Sequence, residues 1–156
     1  MERPEEAAFA AGCFWGVEEK FGKIKGVDET EVGYMGGETE NPAYEEVCKG
    51  KTGHAETVRV RFDPEKVKYV ELLEEFWKMH NPTTPNRQGL NFGDQYRSII
   101  FYYNEGQKRE AEKSKKKIQE KYGKKEVVTE ILPAGKFWRA EDYHQDYRQK
   151  HRGIFG

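Results

Sequence analysis

Cysteine is scarce in this 156-residue chain: there are two, Cys13 and Cys48. Two thiols cannot build a disulfide scaffold, and a chain of this length buries enough core to fold without one. An excess of charge of one sign is also lacking. With 27 Lys and Arg against 28 Asp and Glu, the formal net charge is −1. That balance removes any global attraction to nucleic acid or to an anionic membrane. No run approaches the ~20 apolar residues of a membrane span. The opening Met1-Glu2-Arg3-Pro4-Glu5-Glu6 is charged and has no apolar segment of the secretory type. Repeats, low-complexity tracts and linkers are missing, so residues 1–156 read as one domain. Cys and His do not recur at zinc-ligand spacing, which predicts no metal. These absences predict a soluble cytoplasmic protein.

What is present is a regular alternation of elements. Ala7 to Ala11 predicts a strand, followed by a helix from Phe14 to about Phe21 with Val17 and Phe21 on one face. A second strand lies within Val27–Tyr34. The glycine-rich, polar segment from Met35 to Gly53 reads as a loop. In Glu56–Phe62, the residues Val58, Val60 and Phe62 alternate with Thr57, Arg59 and Arg61, as a half-buried strand requires. Asp63-Pro64-Glu65 predicts a helix start with Asp63 as N-cap, and Leu72, Leu73, Phe76 and Met79 make the buried stripe. A long turn at 81–86 leads to a strand over Tyr96–Tyr103. A helix over Glu105–Tyr122 ends at Gly123, and a strand follows over Glu126–Leu132. A short helix is expected around Tyr143 to Lys150. This order predicts an α+β fold: a two-layer sandwich of a mixed sheet and packed helices, with a ferredoxin-like (plait) core and functional loops at 35–53 and 81–95.

Chemistry concentrates at Gly12-Cys13-Phe14-Trp15-Gly16. A thiol between a strand end and a helix start meets unpaired N–H groups and a partial positive charge, both of which favour the reactive thiolate. A cysteine kept for packing has no need of glycine on both sides. Glu56 stands at the mouth of a strand, where partial burial would hold a proton on its carboxyl near neutral pH. His54, beside Gly53, is the other acid–base candidate, though a histidine beside glycine more often has a structural hydrogen-bonding role; the polar group His144, Gln145 and Tyr147 reads as structural rather than catalytic. Tyr44, Asn91 and Tyr96 lie in or beside the two long loops and would line the polar end of a pocket. The lysine run from Lys113 to Lys117 is the solvated face of a helix, with none of the interleaved aromatics of nucleic-acid binding. These residues alone leave three readings open: a sulfoxide-reducing thiol enzyme, a peroxide-reducing one, and a binding module without turnover.

The chain resembles the type A peptide methionine sulfoxide reductases. The resemblance is carried by Gly12-Cys13-Phe14-Trp15-Gly16, Gly33-Tyr34-Met35-Gly36-Gly37, Asn41-Pro42-Ala43-Tyr44 and Thr52-Gly53-His54-Ala55-Glu56. It continues through Phe76-Trp77-Lys78-Met79-His80-Asn81-Pro82-Thr83, Gln95-Tyr96-Arg97-Ser98 and Ala140-Glu141-Asp142-Tyr143-His144-Gln145. The resemblance implies reduction of methionine S-sulfoxide, free or in oxidised proteins, as a repair activity under oxidative stress. Cys13 would attack the sulfoxide sulfur and become a sulfenic acid. Glu56 would supply the proton to the departing oxygen, Tyr44 and Tyr96 would hydrogen-bond that oxygen, and Phe14 and Trp15 would receive the substrate methyl. The resemblance further implies no bound cofactor and an external thiol as reductant, namely thioredoxin, glutaredoxin or a small-molecule thiol. Two departures from the family pattern stand out. Asn91 occupies a position where many relatives carry an aspartate. The tail Arg152-Gly153-Ile154-Phe155-Gly156 has none of the resolving cysteines common in relatives, which leaves Cys48 as the internal candidate to resolve the sulfenic acid.

Overall fold

A computed structural model describes residues 4–50 and 52–150. The tail at 152–156 and the first three residues of the charged opening lie outside the described residues. Among the described residues eight strands form: β1 (Glu5–Ala11), β2 (Val27–Met35), β3 (Ala55–Phe62), β4 (Arg87–Gln88), β5 (Asn91–Phe92), β6 (Ser98–Tyr102), β7 (Glu130–Pro133) and β8 (Trp138–Arg139). Five helices accompany them: α1 (Phe14–Gly22), α2 (Tyr44–Cys48), α3 (Tyr69–Met79), α4 (Glu105–Tyr122) and α5 (Tyr147–Lys150). The main sheet has the order β7-β6-β1-β3-β2-β8, and β4 and β5 pair separately as a small hairpin. Only β6 and β7 run parallel; the other neighbours of the main sheet are antiparallel. This is the α+β two-layer sandwich with a mixed sheet that the order of elements predicts.

β1 is central, and its alternation divides the core. Ala7, Phe9 and Ala11 face the helices, where Phe9 stacks on Phe21 of α1 at 4.9 Å and lies 5.4 Å from Phe76 of α3. Burying a side chain of this size contributes roughly 1.5–3 kcal/mol. Ala8 and Ala10 face the other way, with Met35, Ile99 and Phe101. Among the described residues no helix packs on that second face; Leu132, Ala134 and Phe137, from the chain around and after β7, pack on it instead. Among the described residues no helix is long and apolar enough to cross a membrane.

Several boundaries differ from the sequence reading. The helix expected at Asp63 begins only at Tyr69. Asp63 closes a turn instead: its Oδ1 accepts from the Glu65 amide at 2.9 Å, and its carbonyl accepts from Lys66 and Val67 at 3.0 Å each. That turn drives Val67 into the core before Lys68 opens the helix. The strand expected from Glu126 starts at Glu130, because the amides of Val127 and Val128 are taken by the Gln119 side chain and the Pro82 carbonyl. Tyr96 belongs to a 3-10 turn over Asp94–Tyr96, ahead of β6. The short C-terminal helix is split into a 3-10 turn at Asp142–His144 and α5.

β8 docks on β2 at Gly33, where there is no room for a side chain. A Cβ there would lie 2.5 Å from Cζ of Phe137 and closer still to the Trp138 carbonyl. Gly33→Ala is therefore expected to push β8 away and to cost about 1–3 kcal/mol. A thermal melt should show this as a drop of about 3–10 °C; an unchanged midpoint would mean that β8 contributes no tight packing. Beyond β8 the Gln145 side chain completes the edge of β2: it accepts from the Val32 amide and donates to the Val32 and Ala140 carbonyls, each at 2.9 Å. The C-terminal segment is thereby fixed beside the start of α1.

Candidate active site

β1 ends at Ala11, and the chain turns through Gly12 at φ +101°, a conformation that favours glycine. Cys13 follows as the N-cap residue of α1, its carbonyl accepting from the Val17 amide at 3.4 Å. The side chain is partly exposed. Burial, and then the neighbouring Glu56 carboxylate, push the Cys13 pKa above its ordinary value; the amides of Trp15 and Gly16 and the Arg148 guanidinium pull it down without reversing the balance. This corrects the thiolate expected from the helix start: burial favours the thiol form. The helix-start amides do point at the sulfur, so negative charge that develops there during reaction meets donors already in place.

Glu56 is the second residue of β3, 1 % exposed, and paired across the sheet with Tyr34. Its Oε1 accepts from the Phe14 amide at 3.2 Å, which ties the carboxyl to the residue after Cys13. Its Oε2 is buried and has no hydrogen-bond partner. Burial pushes the pKa up to about 8, against a smaller downward pull from the Phe14 amide. At neutral pH this carboxyl therefore holds a proton and has one oxygen open to an incoming acceptor.

Tyr44 and Tyr96 close the polar end. Both phenols are raised in pKa, by burial first, and Tyr96 is pushed up to about 12. Tyr96 also feels the charges of Glu56, Cys13 and Cys48, and Tyr44 those of Glu56 and Cys48, which places these groups around one space. Phenols held this far above neutrality are permanent donors. The Tyr44 hydroxyl and the exposed Cys48 thiol interact directly.

An aromatic shell surrounds Phe14, which is 1 % exposed and lies 5.8 Å from Tyr34, 6.4 Å from Tyr44 and 5.2 Å from His144. Trp15 stacks face to face on Tyr147 at 3.8 Å, and its Nε1 donates to His144 Nδ1 at 3.0 Å. Accepting at Nδ1 requires a neutral imidazole, in agreement with a His144 pKa lowered by burial.

Sequence reasoning passed over two residues here. The Tyr34 hydroxyl donates to Glu141 Oε1 at 3.0 Å, and the Tyr44 amide donates to Glu141 Oε2 at 3.2 Å. Glu141 thus bridges β2 to the start of α2, and its place beside His144 and Gln145 in the sequence was the available signal. His54 is structural, as read: Nδ1 accepts from the Gly37 amide at 3.0 Å and Nε2 meets the Thr39 carbonyl at 2.7 Å. Asn91 is brought near Cys13 by the β4–β5 hairpin, but it borders a separate cavity on the β6 side of β1. Among the described residues no group of three or more His, Cys, Asp or Glu could hold a metal ion.

This arrangement sets a partly exposed thiol, a protonated carboxyl and two phenols around one space, beside a wall of aromatic rings. The family model described as peptide methionine sulfoxide reductase matches residues 5–155. The chain is 54% identical over 151 residues to the peptide methionine sulfoxide reductase MsrA of Methanothermobacter thermautotrophicus, covering 96% of this chain and 89% of that protein. The crystal structure of reduced Mxr1 from Saccharomyces cerevisiae superposes with a TM-score of 0.91 at 35% identity, covering 96% of this chain and 87% of that one. Mxr1 has also been solved in complex with Trx2, with a TM-score of 0.66, 26% identity and coverage of 93% and 85%. A match of this extent in both sequence and structure makes the chain a member of the peptide methionine sulfoxide reductase family, an oxidoreductase acting on methionine sulfoxide.

Proposed function

We propose that residues 1–156 form a single catalytic domain that reduces the S epimer of methionine sulfoxide, free or in oxidised proteins, through a sulfenic acid on Cys13. The observation that carries this reading is Glu56: a buried carboxyl, protonated at neutral pH, with Oε2 unpartnered beside the thiol-bearing turn. The sulfoxide oxygen takes hydrogen bonds from Glu56, Tyr44 and Tyr96, and the substrate methyl rests against Phe14 and Trp15. Hydrogen bonding by Glu56 draws electron density from the sulfoxide sulfur, and the Cys13 sulfur bonds to it as its own proton leaves. The sulfur–oxygen bond of the sulfoxide then breaks. The oxygen takes the proton of Glu56 and ends on Cys13 as a sulfenic hydroxyl, methionine departs as the thioether, and the proton given up by the Cys13 thiol restores Glu56. The sulfoxide sulfur gains two electrons and the Cys13 sulfur loses two.

An external thiol restores Cys13. A thioredoxin is supported as reductant by the Mxr1 complex with Trx2. Two free cysteines suit a reducing compartment, and we place the protein in the cytoplasm. Cys48 is the other thiol available to resolve the sulfenic acid, and to do so its Cα must come within ~7 Å of that of Cys13. Cys48→Ser is expected to keep thioredoxin-driven turnover within about twofold of wild type. Loss of that turnover, with dithiothreitol-driven turnover intact, would assign the resolving step to Cys48. The overall reading is tested with separated sulfoxide epimers under excess dithiothreitol: the S epimer should turn over and the R epimer should not. Turnover of peroxide without turnover of either epimer would replace the reading with peroxide reduction.

A further inference from the structure

Cys13 has two sides. β1 lies between β3 and β6, and Glu56 occupies the β3 side. On the β6 side is a cavity of about 350 Å³, bordered by Gly12, Cys13, Lys20, His80, Asn81 and Asn91 among others. His80 is fixed there by contacts to the Phe76 carbonyl at 2.8 Å and to Ser98 Oγ of β6 at 2.7 Å. Burial pushes the His80 pKa down to about 4, so the ring is neutral.

The charge around this cavity is one-sided. Among the described residues no Asp or Glu borders it, and Lys20 is the one bordering Lys or Arg. Arg148 adds a second cation nearby: a Cβ on Gly16, which also borders the cavity, would lie 3.4 Å from its Nη2. Asn91 matters for the same reason. An aspartate at that position, of the kind the family resemblance implies, would put a negative charge on the wall; the amide of Asn91 does not.

We propose that this cavity admits the thiol that regenerates Cys13, and that it selects a small thiol carrying a carboxylate close to its sulfur. The proposal rests on the sulfenic acid of the preceding reading. Displacement at sulfur runs in line, because the incoming electron pair enters the orbital opposite the breaking sulfur–oxygen bond. The hydroxyl of the sulfenic acid faces Glu56, its proton source, so the attacking sulfur must arrive from the β6 side. The incoming thiolate forms a sulfur–sulfur bond to Cys13, the sulfur–oxygen bond breaks, and the hydroxyl leaves as water with the proton of Glu56; the proton given up by the thiol restores Glu56. A second thiol then exchanges with the mixed disulfide, giving free Cys13 and the disulfide of the small thiol. The two thiols together supply the two electrons that reduce Cys13, and a carboxylate on each is drawn toward Lys20.

Three thiols of similar size and different charge test this: mercaptoacetate, 2-mercaptoethanol and cysteamine, each driving turnover of methionine sulfoxide at low ionic strength in wild type and in Lys20→Glu. Lys20 is exposed on α1, so the variant should fold. Each thiol is compared with itself between the two proteins, so differences in intrinsic reactivity cancel. The rate with mercaptoacetate should fall about three- to tenfold in Lys20→Glu, that with cysteamine should rise by a similar factor, and that with 2-mercaptoethanol should stay within about twofold. Asn91→Asp should shift the mercaptoacetate to cysteamine ratio in the same direction. At about 0.5 M salt the contrast should collapse. Rates that do not move, or that move together for all three thiols, overturn the proposal. A reaction without any thiol separates the two layers of the argument. Wild type and Lys20→Glu should each release one methionine per chain and leave a dimedone-reactive sulfur at Cys13. Failure of that single turnover in wild type rejects the sulfenic acid, and the entry route with it; a normal single turnover with no charge discrimination rejects the entry route alone.

Discussion

Cys13→Ser should lose methionine sulfoxide reduction by a factor on the order of 10⁴ or more. A serine hydroxyl has almost no alkoxide at neutral pH, and the amides of Trp15 and Gly16 that face the sulfur are too few to change that. Oxygen also has no accessible oxidised state equivalent to a sulfenic acid, so the variant has nowhere to put the substrate oxygen. The fold should survive. Cys13 is a partly exposed N-cap residue, and serine is a preferred residue at that position. The check is methionine release under excess dithiothreitol, with a thermal melt alongside. Turnover above about one hundredth of wild type, in a variant that melts normally, would move the nucleophile elsewhere.

Glu56→Gln should be the second most damaging change, lowering kcat about 10²–10⁴-fold, because an amide keeps a hydrogen bond to the sulfoxide oxygen but cannot give up a proton. The pH profile carries the sharper signature. The Glu56 pKa is pushed up to about 8, and only the protonated carboxyl is competent, so wild-type kcat/KM should fall as pH rises through about 8. In Glu56→Gln that limb should vanish from whatever activity remains.

The same shift predicts a stability effect of opposite value to the cell. The unfolded chain releases this proton near its ordinary value of 4.5, whereas the folded chain keeps it to about 8. Between those values the folded state binds more protons, so stability falls as pH rises and levels off above about 8. The full cost is on the order of 5 kcal/mol. Glu56→Gln should therefore flatten the dependence of the melting midpoint on pH between 5 and 8. A wild-type midpoint that does not change over that range, once other groups are accounted for, would mean that Glu56 is ionised and no proton donor.

The legible parts of this protein were those with local causes. Gly12 and Gly16 around Cys13 announced a turn into a helix because few residues but glycine accept the φ of Gly12. The alternation of β3 and the length of α4, closed by Gly123, could be read directly from spacing. What escaped was set by partners distant in sequence. α2 has five residues, too few for a helical period, and is held through Tyr44 by Glu141, 97 residues away. The dipeptide Asp63-Pro64 carries a helix-start signal, but the core needed Val67 more. At the site, the pattern singled out Cys13 and Glu56, which the fold sets side by side, and expected a thiolate where burial favours the thiol. A helix start is visible in the sequence; the amount of protein stacked over it, and the carboxyl brought in by a neighbouring strand, are not.

The bond from Trp15 to His144 joins residues 129 positions apart. At ribosomal speeds of roughly 5–20 residues per second, about 6–26 s separate the synthesis of these two partners. Throughout that interval the growing polypeptide carries its sulfur without the imidazole and the Tyr147 ring that wall the pocket. The wall around Phe14 and Trp15 is therefore complete only once residues 144 and 147 have been made, and a chain cut short before them would carry its thiol beside an open flank.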